Sequence, residues 1–265
     1  MTKNNNFKLS IITIVKNGMP FIVETVNSVC NQDYELIEYI VVDAVSTDGT
    51  VEFLRDNKHK FSKLIVEKDN GIADAFNKGL SKASGDYIMF LNADDKLYGT
   101  NSISSLMSSF GVNKPPTFLY GDCIVIDRST NLKRYMASID FHVADILRGV
   151  MPPHPSMCTH RSYFKIYGNF DPTFKIAMDF EWFIRGIKAS SIVHVPTIIT
   201  SVRDGGISTR IQIKVISEII SALKKNRYLP SIFTLITLWL YFLTSYMTRV
   251  ILTKLRIYKF IKKTG

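Results

Sequence analysis

The sequence is poor in cysteine, has no internal repeat and no low-complexity segment, and opens on a stretch with no apolar run. Its three cysteines, Cys30, Cys123 and Cys158, are odd in number and fall at no metal-ligand spacing. That argues against a disulfide framework or a structural zinc site and leaves buried, reduced thiols. The first residues, Met1 to Lys8, are polar, and without an apolar h-region the body is expected to stay on the cytosolic side. A Gly-rich, Lys/Arg-bearing loop after the first apolar run is also missing, since only Lys16-Asn17-Gly18 stands there. Nucleotidyl transfer, which grips a triphosphate with such a loop, is therefore disfavoured.

Acidic residues are scarce at one end only. The formal net charge is +10, and from Arg203 onwards there are twelve Lys/Arg against two Asp/Glu, which leaves 21 basic and 21 acidic residues before it. A neutral body excludes the broad basic face that nucleic acid requires, so no nucleic acid is expected as partner. Within the basic end, residues 229–248 carry no formal charge and are flanked by Lys224, Lys225 and Arg227 before and by Arg249, Lys254, Arg256, Lys259, Lys262 and Lys263 after. The stretch is just long enough to span a bilayer. Yet Ser231, Thr234, Thr237, Tyr241, Thr244 and Thr248 make a hydroxyl stripe, and basic residues on both sides do not set one orientation. A helix lying on an anionic membrane surface through 224–265 fits this pattern, with a span or a helix packed in an oligomer as alternatives. The expected location is cytoplasmic, peripheral or monotopic at the inner face of the cell membrane.

With 46% hydrophobic and 21% charged residues in 265, the chain can bury a full core as one large domain with an appendage. Apolar runs at 9–15, 39–42, 64–66 and 87–91 alternate with helical patterns, including Pro20 ahead of Ile22, Val26 and Val29, and Ile72, Ala75, Phe76, Gly79, Leu80 and Ala83. This rhythm predicts a Rossmann-like parallel sheet with helices on its faces. In such sheets ligands sit beyond the carboxyl ends of the strands. The second half is less regular: a strand over 118–126, helices over 141–148 and 179–188, and strands over 192–195 and 198–202 separated by Pro196 are expected.

Polar clusters fall at those strand ends. Asn92-Ala93-Asp94-Asp95 follows the fourth run. Two adjacent carboxylates repel unless a cation or hydrogen bonds offset them, and oxygen ligands of this kind suit Mg²⁺ or Mn²⁺ with substrate phosphates; a solvated turn is the plainer alternative. Asp43, followed by Ser46-Thr47-Asp48-Gly49-Thr50, can accept hydrogen bonds from a base or ribose, or form a turn and helix cap. Asn70 and Gly71 stand where a helix begins, a place that attracts phosphate, while Asp74 and Lys78 can be part of that site or a simple i,i+4 ion pair. Asp179 and Glu181, two apart on a helix, cannot both face one site; Asp179 can otherwise cap the helix. His154, between Pro153 and Pro155, is a candidate acceptor contact or a structural histidine.

In this order the segments resemble the family 2 glycosyltransferases, over roughly residues 9–209. Ser10 to Asn17 is similar to the family's opening nucleotide-binding segment; Tyr39 to Asp43 with Ser46 to Thr50 resembles its "VVDDGSTDGT" stretch. Glu67 to Gly79 and Gly85 to Asp95 look like the segment running into the DXD motif, nearest to exopolysaccharide and O-antigen enzymes of the colanic-acid type. The resemblance implies a GT-A fold, a Rossmann-like mixed sheet flanked by helices, with 1–100 as nucleotide-sugar-binding half, 101–208 as acceptor half and 209–265 as basic helical tail. It implies donor contacts from Thr13, Val15, Asn17, Asp43, Asn70, Gly71, Asp74, Lys78, Asn92 and Asp94, and a metal, Mn²⁺ or Mg²⁺, on Asp94 and Asp95. It further implies Asp179 as catalytic base, and acceptor or loop contacts from His154, Glu181, Trp182, Gly206 and Ser208. Asn92, Ala44-Val45 and Met178 depart from the family's usual residues. The implied reaction is inverting transfer of a sugar from a nucleotide-diphosphate sugar to a saccharide acceptor, such as a polyprenyl-diphosphate-linked one. A membrane-tethered binding or scaffold protein is the non-enzymatic alternative.

Overall fold

The structure, a computed structural model, describes residues 7–109, 115–127, 132–136, 141–204 and 212–228. Runs of apolar residues form the strands Leu9–Val15 (β1), Ile37–Asp43 (β2), Lys63–Val66 (β3) and Tyr87–Phe90 (β4), separated by helices Phe21–Cys30 (α1), Thr50–Asp56 (α2) and Ile72–Lys82 (α3). They pair in the order β3-β2-β1-β4, all parallel. Val15 stands opposite Asp43, and Ile12 opposite Phe90, so β1, β2 and β4 all release their chains at one edge.

Beyond β4 the sheet turns mixed. Lys96–Leu97 (β5), Phe118–Ile126 (β6), Lys133–Met136 (β7), Met157–His160 (β8) and Ile192–Arg203 (β9) extend it in the order β4-β8-β6-β9-β5, with β7 beside β6. β8 runs antiparallel to both β4 and β6, while β6 and β9 are parallel. The mixed, helix-flanked sheet expected from the sequence is thus present. Helices Ser102–Met107 (α4), Arg161–Tyr167 (α5), Met178–Ile184 (α6) and Gln212–Lys225 complete the described elements; the last is numbered α7.

The period-two alternation of a strand divides the core in two. Leu9, Ile11 and Val15 face one cluster with Tyr39, Val41, Ile22 and Val26, and Ile12 faces the other with Ile40, Phe76 and Phe90. Helices therefore cover both faces, as parallel strands buried on both sides require. α3 lies very close to the sheet: a Cβ on Gly79 would fall 2.4 Å from Ile12 Cγ2 and 3.3 Å from Val42 Cγ2.

Several boundaries differ from expectation. β9 is a single strand through Pro196, because a register shift against β6 around Asp122 absorbs the residue that has no N–H to give. Residues 143–148 form a 3₁₀ helix, and α6 ends at Ile184 with a separate 3₁₀ turn at Ile187–Ala189. β8 and α5 carry too short a pattern to be read from the sequence. α7, grouped by charge with the tail, packs its Ile219, Ala222 and Leu223 into the main core. Among the described residues no helix is long and apolar enough to cross a membrane. Residues 229–265, on which the interfacial-helix reading falls, lie outside them, as do Gly206 and Ser208.

Candidate active site

A cavity of roughly 620 Å³ opens at the carboxyl edge of β1 and β4. Val15, the last residue of β1, and Lys16, Asn17 and Gly18 after it line the cavity with Asn92, Ala93 and Asp94, which follow β4. His154 and Asp179 line it as well. The remaining wall is largely apolar and comes from distant elements: Ile72 and Phe76 of α3, Met151, Ile176 just before α6, Met178 and Phe180 of α6, and Val215 and Ile219 of α7.

The loop after β1 is held in shape by the loop after β2. Asn17 N donates to Ser46 Oγ at 2.7 Å, Thr47 N to Asn17 Oδ1 at 2.9 Å, Gly18 N to Thr50 Oγ1 at 3.0 Å and Met19 N to Asp48 Oδ2 at 2.9 Å. Asp43 is fully buried beneath this lattice, its carboxylate accepting from Ser46 N at 2.8 Å and Ser46 Oγ at 2.7 Å. Val45, where the family motif has glycine, adopts φ 59°, a left-handed conformation that a β-branched side chain rarely takes.

After β4 the two neighbouring aspartates part company. Asp94 lines the cavity. Asp95 is 2% exposed and turns inward, where Asn92 Nδ2 donates to its Oδ2 at 3.0 Å and Arg203 N to its Oδ1 at 3.1 Å. Thr25 Oγ1 fixes the same turn by donating to Asp95 O at 2.6 Å and Ala93 O at 2.9 Å. Among the described residues no group of three or more His, Cys, Asp or Glu could hold a metal ion unaided. One cavity-lining carboxylate beside an amide oxygen is nonetheless a donor set that Mg²⁺ or Mn²⁺ accepts when water and phosphate oxygens complete it.

At the start of α3 the ion-pair alternative is the one observed. Lys78 Nζ lies 3.4 Å from Asp74 and 3.1 Å from Glu67, and Asp74 also accepts from Asn70 N at 2.9 Å. That amide, together with the Lys78 ammonium, holds the Asp74 carboxyl below the usual range. None of Asn70, Gly71, Asp74 and Lys78 lines the cavity, but Ile72, the first residue of α3, does. Thr13, also outside the cavity, is fully buried and accepts from the Tyr39 hydroxyl at 3.2 Å.

On α6 the two acidic residues separate as their spacing requires. Asp179 reaches the cavity and accepts from Phe180 N at 2.8 Å; Ala177, not Asp179, stands at the cap. Glu181 is fully buried, bound by Arg185, by Lys225 at 2.9 Å and by Asn226 Nδ2 at 3.3 Å. Trp182 is likewise fully buried, stacked on Phe164 with its Nε1 donating to Gly168 O at 3.2 Å. Neither Glu181 nor Trp182, for which acceptor contacts were expected, is among the residues that line the cavity. His154 does line the cavity, with its ring stacked on Phe90 at 5.4 Å and edge-on to Phe76 and Phe170. Its Nε2 is buried and has no hydrogen-bond partner among the described residues. Burial lowers its pKa, with the Asp179 carboxylate acting against that shift.

The apolar wall escaped sequence reasoning; only the helical spacing of Val215, Ile219 and Leu223 hinted at it. Comparison with known proteins follows the same frame. The model of the family "Glycosyl transferase family 2" matches residues 10–164, more than half of the chain. An uncharacterized glycosyltransferase of Mycobacterium tuberculosis is 32% identical over 179 residues, covering 67% of this chain and 68% of its own. A PGL/p-HBAD biosynthesis glycosyltransferase of Mycobacterium bovis is 26% identical over 208 residues, 76% of this chain and 79% of its own. The solved mannosyltransferase PcManGT of Pyrobaculum calidifontis, in complex with GDP-Man and Mn²⁺, has a TM-score of 0.60 at 19% identity, over 85% of this chain and 65% of that one. This chain thus spans less than two thirds of that protein's length, and the likeness is one of fold. The family match runs from β1 into α5, through every strand of the parallel block and the turn that parts Asp94 from Asp95, and together with the 32%-identical relative it establishes kinship: the chain belongs to glycosyl transferase family 2 and is a glycosyltransferase.

Proposed function

We propose that this enzyme moves a sugar from a nucleotide-diphosphate sugar to a saccharide acceptor with inversion at the anomeric carbon. The observation that supports this reading is that Asn17, Asn92, Asp94, His154 and Asp179, drawn from distant parts of the chain, all line one cavity. A nucleotide-sugar donor is supported by the GDP-Man complex of the mannosyltransferase neighbour. Asp94 would hold Mn²⁺ or Mg²⁺ with Asn92 beside it, and the ion would supply charge stabilisation for the departing diphosphate. The first turn of α3 adds the positive end of its dipole through the backbone near Ile72. Asp43 and Asp95 act one layer back, Asp43 by shaping the loops around Asn17 and Asp95 by fixing the turn that presents Asp94. Asp179 takes the proton from the acceptor hydroxyl as its oxygen attacks the anomeric carbon and the nucleoside diphosphate leaves, a step typically worth ~10²–10⁴-fold.

The acceptor is assigned to surface saccharides, on the motif resemblance to exopolysaccharide and O-antigen enzymes. The PGL/p-HBAD relative supports glycoconjugate synthesis more broadly. The basic end of the chain favours a lipid-linked acceptor met at an anionic membrane surface. Calorimetric titration against UDP-, GDP- and dTDP-sugars with Mn²⁺ identifies the donor, and nucleoside-diphosphate release then reports turnover. Near-full activity in Asp179→Asn overturns the base, unchanged turnover in EDTA overturns the metal, and full membrane association after deletion of 229–265 overturns the tail's role.

A further inference from the structure

One carboxylate outside the cavity collects three consecutive backbone amides. Glu218, on α7, accepts from Lys175 N at 3.0 Å, from Ile176 N at 2.9 Å and from Ala177 N at 2.8 Å. Successive amides converging on one point form an anion-binding concavity, and charge-assisted bonds of this kind are short and strong. Here the concavity is filled by the protein's own side chain. The chain it fastens leads directly into α6, whose second residue is Asp179.

The other end of α7 fastens the far side of Asp179. Lys225 binds Glu181 at 2.9 Å and Asp171 at 2.6 Å, and Asn226 Nδ2 donates to Glu181 at 3.3 Å. Val215 and Ile219, either side of Glu218 on the helix, line the cavity. Asp179 is thus presented from a segment held at both flanks by α7. None of Glu218's hydrogen bonds goes to the donor-side residues Asn17, Asn92 or Asp94.

We propose that Glu218 is a positioning residue for transfer: by tying down 175–177 it sets the approach of the Asp179 carboxylate to the attacking hydroxyl. This rests on the reading of Asp179 as the base. A displacement of about 1 Å at a reacting group can cost ~10²-fold in rate, so the expected signature is in turnover rather than in donor binding.

The test uses the full chain, with release of nucleoside diphosphate to water from the donor as readout. Glu218→Ala is expected to lower turnover ~10–100-fold while the nucleotide Kd in Mn²⁺ stays within about twofold. Glu218→Gln, which keeps one acceptor oxygen and the same shape, should fall between, and it decides the matter if the alanine variant does not fold. In an Asp179→Asn background, where the positioned group is already gone, the second substitution should add nothing. Hydrogen exchange across 175–184 should rise in Glu218→Gln with β1 and β4 unchanged. Unchanged exchange there, unchanged turnover, or an additive loss in the double variant overturns the positioning role alone. An Asp179→Asn variant with near-full turnover overturns the base reading, and the positioning role falls with it.

Discussion

Asn92 donates its side-chain amide to the carboxylate of Asp95 at 3.0 Å, so the first residue of the polar turn holds the last. Had an acid stood at 92, two carboxylates would meet at that distance; the amide converts a repulsion into a bond. With the Arg203 amide on its other oxygen, Asp95 is engaged inside the fold, and the neighbouring pair is divided between structure and cavity.

That division predicts different phenotypes for two adjacent substitutions. Asp95→Asn should cost about 1–3 kcal/mol of stability, because the amide keeps only one acceptor oxygen and its buried NH2 then faces either the Asn92 amide or the Arg203 N–H, donor against donor. Asp94→Asn should weaken Mn²⁺-dependent nucleotide binding by ~10–100-fold. Chemical denaturation and calorimetry read the two effects, and the opposite pattern would refute the assignment.

Val45 offers a gain. It is exposed yet held at φ 59°, because Ala44 N donates to Val15 O at 2.9 Å on one side and Ser46 is fixed to Asp43 on the other. Such strain costs ~1–3 kcal/mol. Val45→Gly removes it at some entropic cost, and Val45→Asn removes much of it without that cost. We expect the melting temperature to rise by about 2–4 °C in either variant. A drop in both would show that the valine side chain makes a contact worth more than the strain.

Glu38 predicts an acid-sensitive seam at the opposite edge of the sheet. Burial pushes its carboxyl up, but hydrogen bonds from Ser10 Oγ at 2.6 Å, Ser84 Oγ at 2.6 Å, Ser84 N at 2.6 Å and Lys8 Nζ at 3.2 Å outweigh it and hold the pKa at about 2, against 4.5 unperturbed. A depressed folded-state value contributes stability that is complete above the unfolded value and is lost as pH falls through the folded one. The gap between about 4.5 and about 2 corresponds to roughly 3 kcal/mol. The stability difference between wild type and Glu38→Gln should therefore narrow as pH is lowered from about 6 towards about 3. A difference that stays constant would exclude the linkage.

His154 should act as a neutral hydrogen-bonding group. Its ring is stacked on Phe90 and its Nε2 has no partner among the described residues. His154→Phe should keep the aromatic packing and melting temperature while lowering turnover ~10-fold, in line with loss of one hydrogen bond to substrate. His154→Gln should recover part of the rate but lose stability. Equal turnover in wild type and His154→Phe would assign the histidine to packing alone.

The parallel block was legible because buried strands are continuous apolar runs and each turn after them is polar: Val15 to Asn17, Val42 to Asp43 and Leu91 to Asp95 all fall where the sheet edge is. The inward fate of Asp95 was not legible, since its partner Arg203 is 108 residues away. The same holds for Glu181, which looked available beside Asp179 until Arg185, Lys225 and Asn226 closed on it. β8, four residues inserted antiparallel between β4 and β6, carries no local signal because its pairing partners decide its state. Pro196 pointed to a break that the bulge opposite Asp122 made unnecessary.

α7 also bears on how the chain can be cut. Charge and hydropathy draw a natural line near 208, ahead of the basic end, and a soluble catalytic fragment would ordinarily be trimmed there. Doing so would remove Val215 and Ile219 from the cavity wall, Glu218 from the amides of 175–177 and Lys225 from Glu181. A fragment meant to shed only the tail should keep everything through Tyr228, whose hydroxyl donates to Ile184 O at 3.0 Å. By the same reasoning, swapping tails between relatives is safe only downstream of that tyrosine, because upstream of it the tail and the enzyme are one piece.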